Sequence, residues 1–279
     1  MEIIKVKSVE EMGKVALKEV LEVINSKENP VLGLATGSSP VGLYQAMIED
    51  HQKNGTSYKK VRTVNLDEYV GIEPTHSQSY ATFMKEQLFN HIDIDLNHVH
   101  IPCGNAVNPE EECQKYEQIL NENKVDLQIL GIGSNGHIAF NEPGTPFNAI
   151  TQIVTLDEQT RRDNARFFDH LDEVPKYAIS MGIQSICRAN KILLIAMGKN
   201  KAKAVAHMIG GSVTTDCPAS ILQVHPNVVV IADEEALSDV AIETKPLHVS
   251  LDECGVAKCK SKSTGRNQFN EFIFSKTMV

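Results

Sequence analysis

No apolar run in this 279-residue chain approaches the roughly 18 residues that a membrane-crossing helix needs. The opening residues, MEIIKVKSVEEMGK, lack both the apolar segment and the cleavage site of a signal peptide, so the expectation is a soluble, cytoplasmic protein with no membrane partner. Paired cysteines are missing as well. Cys103, Cys113, Cys187, Cys217, Cys254 and Cys259 are scattered, with no C-x-x-C and no histidine at zinc-finger spacing, and read as reduced thiols. Basic surplus is absent: 27 Lys and Arg against 36 Asp and Glu give a formal charge of −9, which argues against a sequence-independent nucleic-acid binder. An anionic ligand would therefore need a locally positive site. Neither internal repeats, low-complexity tracts nor a helix-turn-helix region stand out.

What is present is enough chain for a large core, with 42% hydrophobic residues. The apolar pattern fades from about Ser238 into the basic, polar stretch KCKSKSTGRNQ, which suggests one domain over 1–237 and a C-terminal extension over 238–279. Ser8 and Glu11 have the form of a capping box opening a helix with an apolar face of Met12, Ala16, Val20, Val23 and Ile24. VLGLA reads as a buried strand that runs through TGSSP into the helical pattern VGLYQAMIEDH, with Pro40 at the helix start. VRTVNL leads likewise into Asp67, VDLQILGIG into a glycine loop, and KILLIAMG into KNKAKAVAHMIGG, while NVVVIAD adds another strand. Strands alternating with helices imply an α/β fold, a largely parallel sheet covered on both faces. In such sheets ligands gather beyond the carboxyl ends of the strands, where these loops converge.

Thr36, Gly37, Ser38 and Ser39 of TGSSP suit a phosphate, because backbone N–H groups and hydroxyls at a helix N-terminus combine with the positive end of its dipole. A plain turn with a capping serine is the alternative, and a P-loop is excluded because no G-K-[ST] follows. Lys201 stands in the first turn after a strand, where it opposes the helix dipole and so hints at an anionic partner; solvated lysines such as Lys199 and Lys203 are the bland comparison. TRRDNARFF offers Arg161, Arg162 and Arg166. The otherwise apolar strand before Asp67 and Glu68 ends in two carboxylates, suited either to capping and ion pairing or to taking a proton from carbon beside a carbonyl.

Gly131, Gly133 and Gly136 satisfy the spacing G-x-G-x-x-G of a dinucleotide cradle, which also requires a continuous helix afterwards. Here NEPGTP follows, and two prolines and a glycine forbid that helix. The loop instead carries His137 and Glu142, and a histidine facing a carboxylate is an acid/base shuttle with its tautomer fixed. A structural histidine is the alternative for His137 alone; the acid/base reading rests on the company of Asp67 and the anion cradle.

Together LGLATGSSP, NLDEYVGI, SYATFM, LGIGSNGHIAFNEPGTPF, TRRDNARFF, YAISMGIQSI and MGKNKAKAV resemble, in order and spacing, the glucosamine-6-phosphate deaminase family over about residues 1–237. The resemblance implies a modified Rossmann-like domain that converts glucosamine 6-phosphate and water to fructose 6-phosphate and ammonia, without metal or organic cofactor. It matches Asp67 to the proton-abstracting base, His137 to the ring-opening acid/base and Glu142 to its carboxylate partner. Thr36, Gly37, Ser38, Ser39, Arg166 and Lys201 match the phosphate grip, with Arg166 in a lid over Leu156 to Ile179. Some members have Asp where this chain has Asn135, which can orient His137 but cannot act as a base. Members activated by N-acetylglucosamine 6-phosphate carry basic residues where Gln152 and Val154 stand here, so strong activation is not expected. A homo-oligomer is compatible with the resemblance. Two other readings are a 6-phosphogluconolactonase, whose Asp-Glu-Arg and missing AFNEPG do not fit, and a sugar-phosphate sensor, which would have no use for Asp67, His137 and Glu142 together.

Overall fold

The computed structural model describes residues 1–156, 161, 170 and 173–241, and the backbone of 250–251 and 257–260. β1 (Glu2–Val6) leads into α1 (Val9–Ser26), whose first turn is closed by Glu11 N donating to Ser8 Oγ at 3.1 Å. The Glu11 carboxylate reaches back to Lys7 N at 2.7 Å, one residue earlier than a standard capping box. β2 (Val31–Leu34), α2 (Val41–Asn54) and β3 (Arg62–Asn65) follow, and then the short β4 (Asp67–Tyr69) and α3 (Tyr80–Gln87). β5 (Val99–His100), α4 (Pro109–Glu122) and β6 (Leu127–Leu130) complete the first half. Beyond the glycine loop come β7 (Gln152–Thr155), β8 (Tyr177–Ser180), α5 (Ile183–Cys187), β9 (Lys191–Ala196), α6 (Ala202–Gly210) and β10 (Val228–Asp233).

Seven strands form a parallel sheet in the order β1-β10-β9-β6-β2-β3-β5, as the strand-helix alternation implies. A hairpin, β11 (Ser250–Leu251) and β12 (Ala257–Lys260), lengthens it by pairing antiparallel with β1, so part of the sequence after residue 238 joins the sheet at its edge. Alternation along each buried strand divides the core in two. Leu32, Leu34, Leu127, Ile129, Leu193 and Ile195 face Met12, Ala16, Leu43 and Met47 of α1 and α2. Val31, Leu130, Ile192, Leu194 and Val230 face Tyr116 of α4, Ile183 of α5 and Met208 of α6. Helices therefore cover both faces, and each fully buried aliphatic side chain contributes roughly 1.5–3 kcal/mol.

The chain runs from β2 outward to β3 and β5, then returns to β6 on the other side of β2 and proceeds through β9 to β10. The loops after β2 and β6 thus part at a topological switch point, the crevice where open α/β sheets bind ligands. A second sheet, antiparallel β4-β8-β7, stands beyond this edge and pairs Asp67 with Ser180. Among the described residues, no helix is long and apolar enough to cross a membrane.

Candidate active site

Four neighbouring strands, β9, β6, β2 and β3, bring Lys201, the 131–144 loop, residues 36–39 and Asp67 to one edge of the sheet. The loops after β2 and β6 touch: a Cβ added to Gly131 would lie 3.0 Å from Ser39 Oγ. Gly37 takes a left-handed φ of 81°, and Gly37 and Ser38 are exposed. α2 begins behind them with Pro40 at its N-cap and no side chain capping it, so the capping-serine alternative is not realised. This leaves a 14-residue helix aiming its positive end along the loop, an arrangement suited to a dianionic phosphate.

Lys201 closes the 3₁₀ turn Lys199–Lys201 just before α6 and is half-buried. Its neighbour Lys199 is engaged elsewhere, with Nζ 2.8 Å from Asp239 Oδ1 and 2.6 Å from Ser238 Oγ. Arg161 donates to the Val174 carbonyl at 3.1 Å. Arg166 and Arg162, and most of the lid segment between Leu156 and Ile179, lie outside the described residues.

Asp67 and Glu68 part company in the fold. Glu68 accepts from Tyr69 N at 2.9 Å and from Tyr80 N and Ala81 N at 3.0 Å, and so caps the first turn of α3. Burial raises its pKa, and these three N–H groups pull it partly back. Asp67 is only 6% exposed, and burial, with a smaller contribution from the Glu68 charge, pushes its carboxyl up to about 8. A carboxylate so poorly solvated is a stronger base than its ordinary pKa allows. The sequence had offered capping and proton transfer for this pair; capping falls to Glu68.

The 131–144 loop contains no helix, as its prolines require. It folds on itself through Gly133 N to His137 O at 2.9 Å and Gly136 N to Gly133 O at 3.0 Å. The imidazole of His137 lies over Gly133, where a Cβ would come within 2.3 Å of the ring, so any side chain there would displace the imidazole. Nδ1 of His137 stands 3.4 Å from Glu142 Oε2, and Nδ1 has no hydrogen-bond partner in this arrangement. Asn135 ties the two together: its Oδ1 accepts from His137 N at 3.1 Å and its Nδ2 donates to Glu142 Oε2 at 2.7 Å. The amide thus occupies an orienting position between backbone and carboxylate. Gln152 and Val154 are half-buried in β7.

The edge therefore offers an anion cradle with a lysine, a buried carboxyl, and a histidine-carboxylate pair, which together can hold a phosphate, move a proton on carbon and protonate an oxygen. A separate cavity of about 680 Å³ opens at the amino ends of the sheet, among Leu120, Arg188, Asn190 and His225, and none of the candidate residues lines it.

Residues 5–231 match the family model for glucosamine-6-phosphate isomerases/6-phosphogluconolactonase. The chain is 49% identical over 249 residues to the glucosamine-6-phosphate deaminase of Geobacillus sp. (strain WCH70), covering 89% of this chain and 99% of that protein. Among solved structures it is similar to a monomeric glucosamine-6-phosphate deaminase, with a TM-score of 0.84 at 44% identity over 86% of this chain and 100% of the other. The 6-phosphogluconolactonase of Trypanosoma brucei shares the fold, with a TM-score of 0.71 at 18% identity over 86% of this chain and 98% of its own.

Proposed function

The chain belongs to the glucosamine-6-phosphate isomerase/6-phosphogluconolactonase family, and from that premise we propose that it deaminates D-glucosamine 6-phosphate, forming D-fructose 6-phosphate and ammonia with the uptake of water. The observation that carries the reading is the convergence of Asp67, His137 with Glu142 and Asn135, residues 36–39 and Lys201 on adjoining strand ends. Residues 36–39 and Lys201 hold the phosphate, with Arg166 completing the grip. His137, oriented by Glu142 and Asn135, delivers a proton to the ring oxygen as the bond from that oxygen to C1 breaks and the C1 hydroxyl loses its proton, leaving an aldehyde. Asp67 then takes the C2 proton while the aldehyde oxygen gains one, giving an enolamine; C1 next receives a proton as the nitrogen gives one up, which leaves a C2 imine beside a C1 hydroxyl. Water adds at C2, the carbon-nitrogen bond breaks, and ammonia leaves a ketone.

In this reading the chemistry belongs to residues 1–237, and 238–279 is an extension. The enzyme is a cytoplasmic protein of amino-sugar catabolism with a small-molecule substrate and no nucleic-acid or membrane partner, in keeping with its charge of −9. Gln152 and Val154 supply no cation for a second sugar phosphate, so N-acetylglucosamine 6-phosphate is not a strong activator. The deciding experiment follows ammonia and fructose 6-phosphate from purified protein supplied with glucosamine 6-phosphate, beside a parallel assay with 6-phosphogluconolactone. Stoichiometric release of both products supports the proposal; lactone hydrolysis without ammonia overturns it.

A further inference from the structure

The segment Thr214 to Ser220, which no sequence motif marks, packs behind the loop of His137 and Glu142. Ala219 N donates to Gly136 O at 2.9 Å and Gly144 N donates to Thr215 O at 2.9 Å, so the segment grips the loop on both sides of the two acid/base residues. Between these bonds Cys217 Sγ rests on Gly136, where a Cβ would come within 2.5 Å of it. The two ends of the segment are joined by the Ser220 side chain. Ser220, 0% exposed, accepts from Thr214 N at 2.9 Å and donates to Thr214 O at 3.0 Å. A further bond from Cys217 N to Thr214 O, at 3.2 Å, tightens the same turn.

The loop needs this support. Ala139 holds a φ of 51°, a left-handed conformation that a residue with a Cβ keeps only when its surroundings enforce it. On the opposite side Asn141 Nδ2 donates to Met181 O at 2.8 Å and Phe140 N donates to Ser180 Oγ at 3.2 Å. The loop is thus clamped between the end of β8 and the 214–220 turn. Asp67 has no share in this second clamp, since its strand is held by β8 and its neighbour Glu68 by α3.

We propose that the 214–220 turn is a strut that keeps His137 and Glu142 aligned for ring opening, with Ser220 as its positioning residue; this rests on the deaminase reading. Ser220→Ala should lower kcat at least 10-fold with KM within about 2-fold, because the phosphate grip is untouched. Proton exchange at C2 of an open-chain analogue, which bypasses ring opening, should proceed at the parent rate. Ser220→Thr, which retains the hydroxyl, should restore most of kcat. An unchanged kcat, or equal losses in turnover and open-chain exchange, overturns the strut. Should Ser220→Ala fail to fold, Cys217→Ala, which removes the sulfur that rests on Gly136, is judged by the same two rates, with a loss in kcat of about 3-fold expected. If the parent protein releases no ammonia, the deaminase reading falls by itself. The strut is then judged by the imidazole NMR signals of His137, which must shift or broaden in Ser220→Ala if the inference holds and coincide with the parent's if it does not.

Discussion

Asp67 lies in a strand, paired with Ser180 across a regular antiparallel ladder, whereas His137 lies in an irregular loop that keeps Ala139 in a left-handed conformation. Around Asp67 the decisive quantity is the medium: burial pushes its pKa to about 8. Around His137 it is geometry, because Asn135 fixes both the backbone and the carboxylate that face the imidazole. The proposed site thus combines a group tuned by desolvation with a pair tuned by alignment. Substitutions should affect them in different ways.

The largest effect is expected at Asp67. Asp67→Asn keeps size and shape, so it should leave fold and phosphate binding intact while turnover falls by the roughly 10²–10⁴-fold due to a positioned base. Steady-state kinetics checks this: the loss should sit in kcat, and a matching rise in KM with kcat preserved would dissolve the contrast. Next in size is Asn135→Ala, which removes the bridge to Glu142 without touching the buried carboxyl. A drop in kcat of about 10-fold is expected, read in the same assay.

The legible part of the molecule and its hidden part follow the same contrast. VLGLA, VRTVNL, VDLQILGIG, KILLIAMG and NVVVIAD became β2, β3, β6, β9 and β10, because buried parallel strands are short apolar runs that local sequence displays. The convergence of their loops followed from parallel topology alone. The small sheet β4-β8-β7 was not legible, since its strands meet only in space, Asp67 opposite Ser180. Nor was the division of labour between Asp67 and Glu68, which depends on where α3 starts. The 214–220 turn is silent in the sequence because its bonds to the glycine loop run from backbone to backbone, and these leave no mark on side-chain pattern. The hairpin β11-β12 lies in sequence whose apolar pattern is weak, and it adds at the open edge of β1, where backbone pairing suffices.

A third expectation concerns pH. In the unfolded chain Asp67 titrates near its ordinary value of 3.8, and in the fold near 8, so the native state binds the proton more tightly. The stability this supplies is complete below about pH 4 and is lost as pH rises towards 8. Asp67→Asn removes that dependence. Melting curves of variant and parent should therefore diverge between pH 5 and pH 8, the variant gaining relative stability as pH rises. A constant difference across this range would mean that burial does not govern Asp67. The smallest effect is expected far from both regions: β1 is separated from β6 by β10 and β9, so truncation after Ala241 should leave activity within a few-fold. A folded but inactive truncate would bring the extension into the site.

The most direct test of two separately tuned groups is solvent deuterium incorporation during a single turnover, measured for closed glucosamine 6-phosphate and for an open-chain analogue. Asp67→Asn should abolish incorporation with either compound, whereas His137→Gln should slow it with the closed sugar and spare it with the open one. Incorporation at the parent rate in Asp67→Asn, or equal slowing of both compounds in His137→Gln, would contradict it.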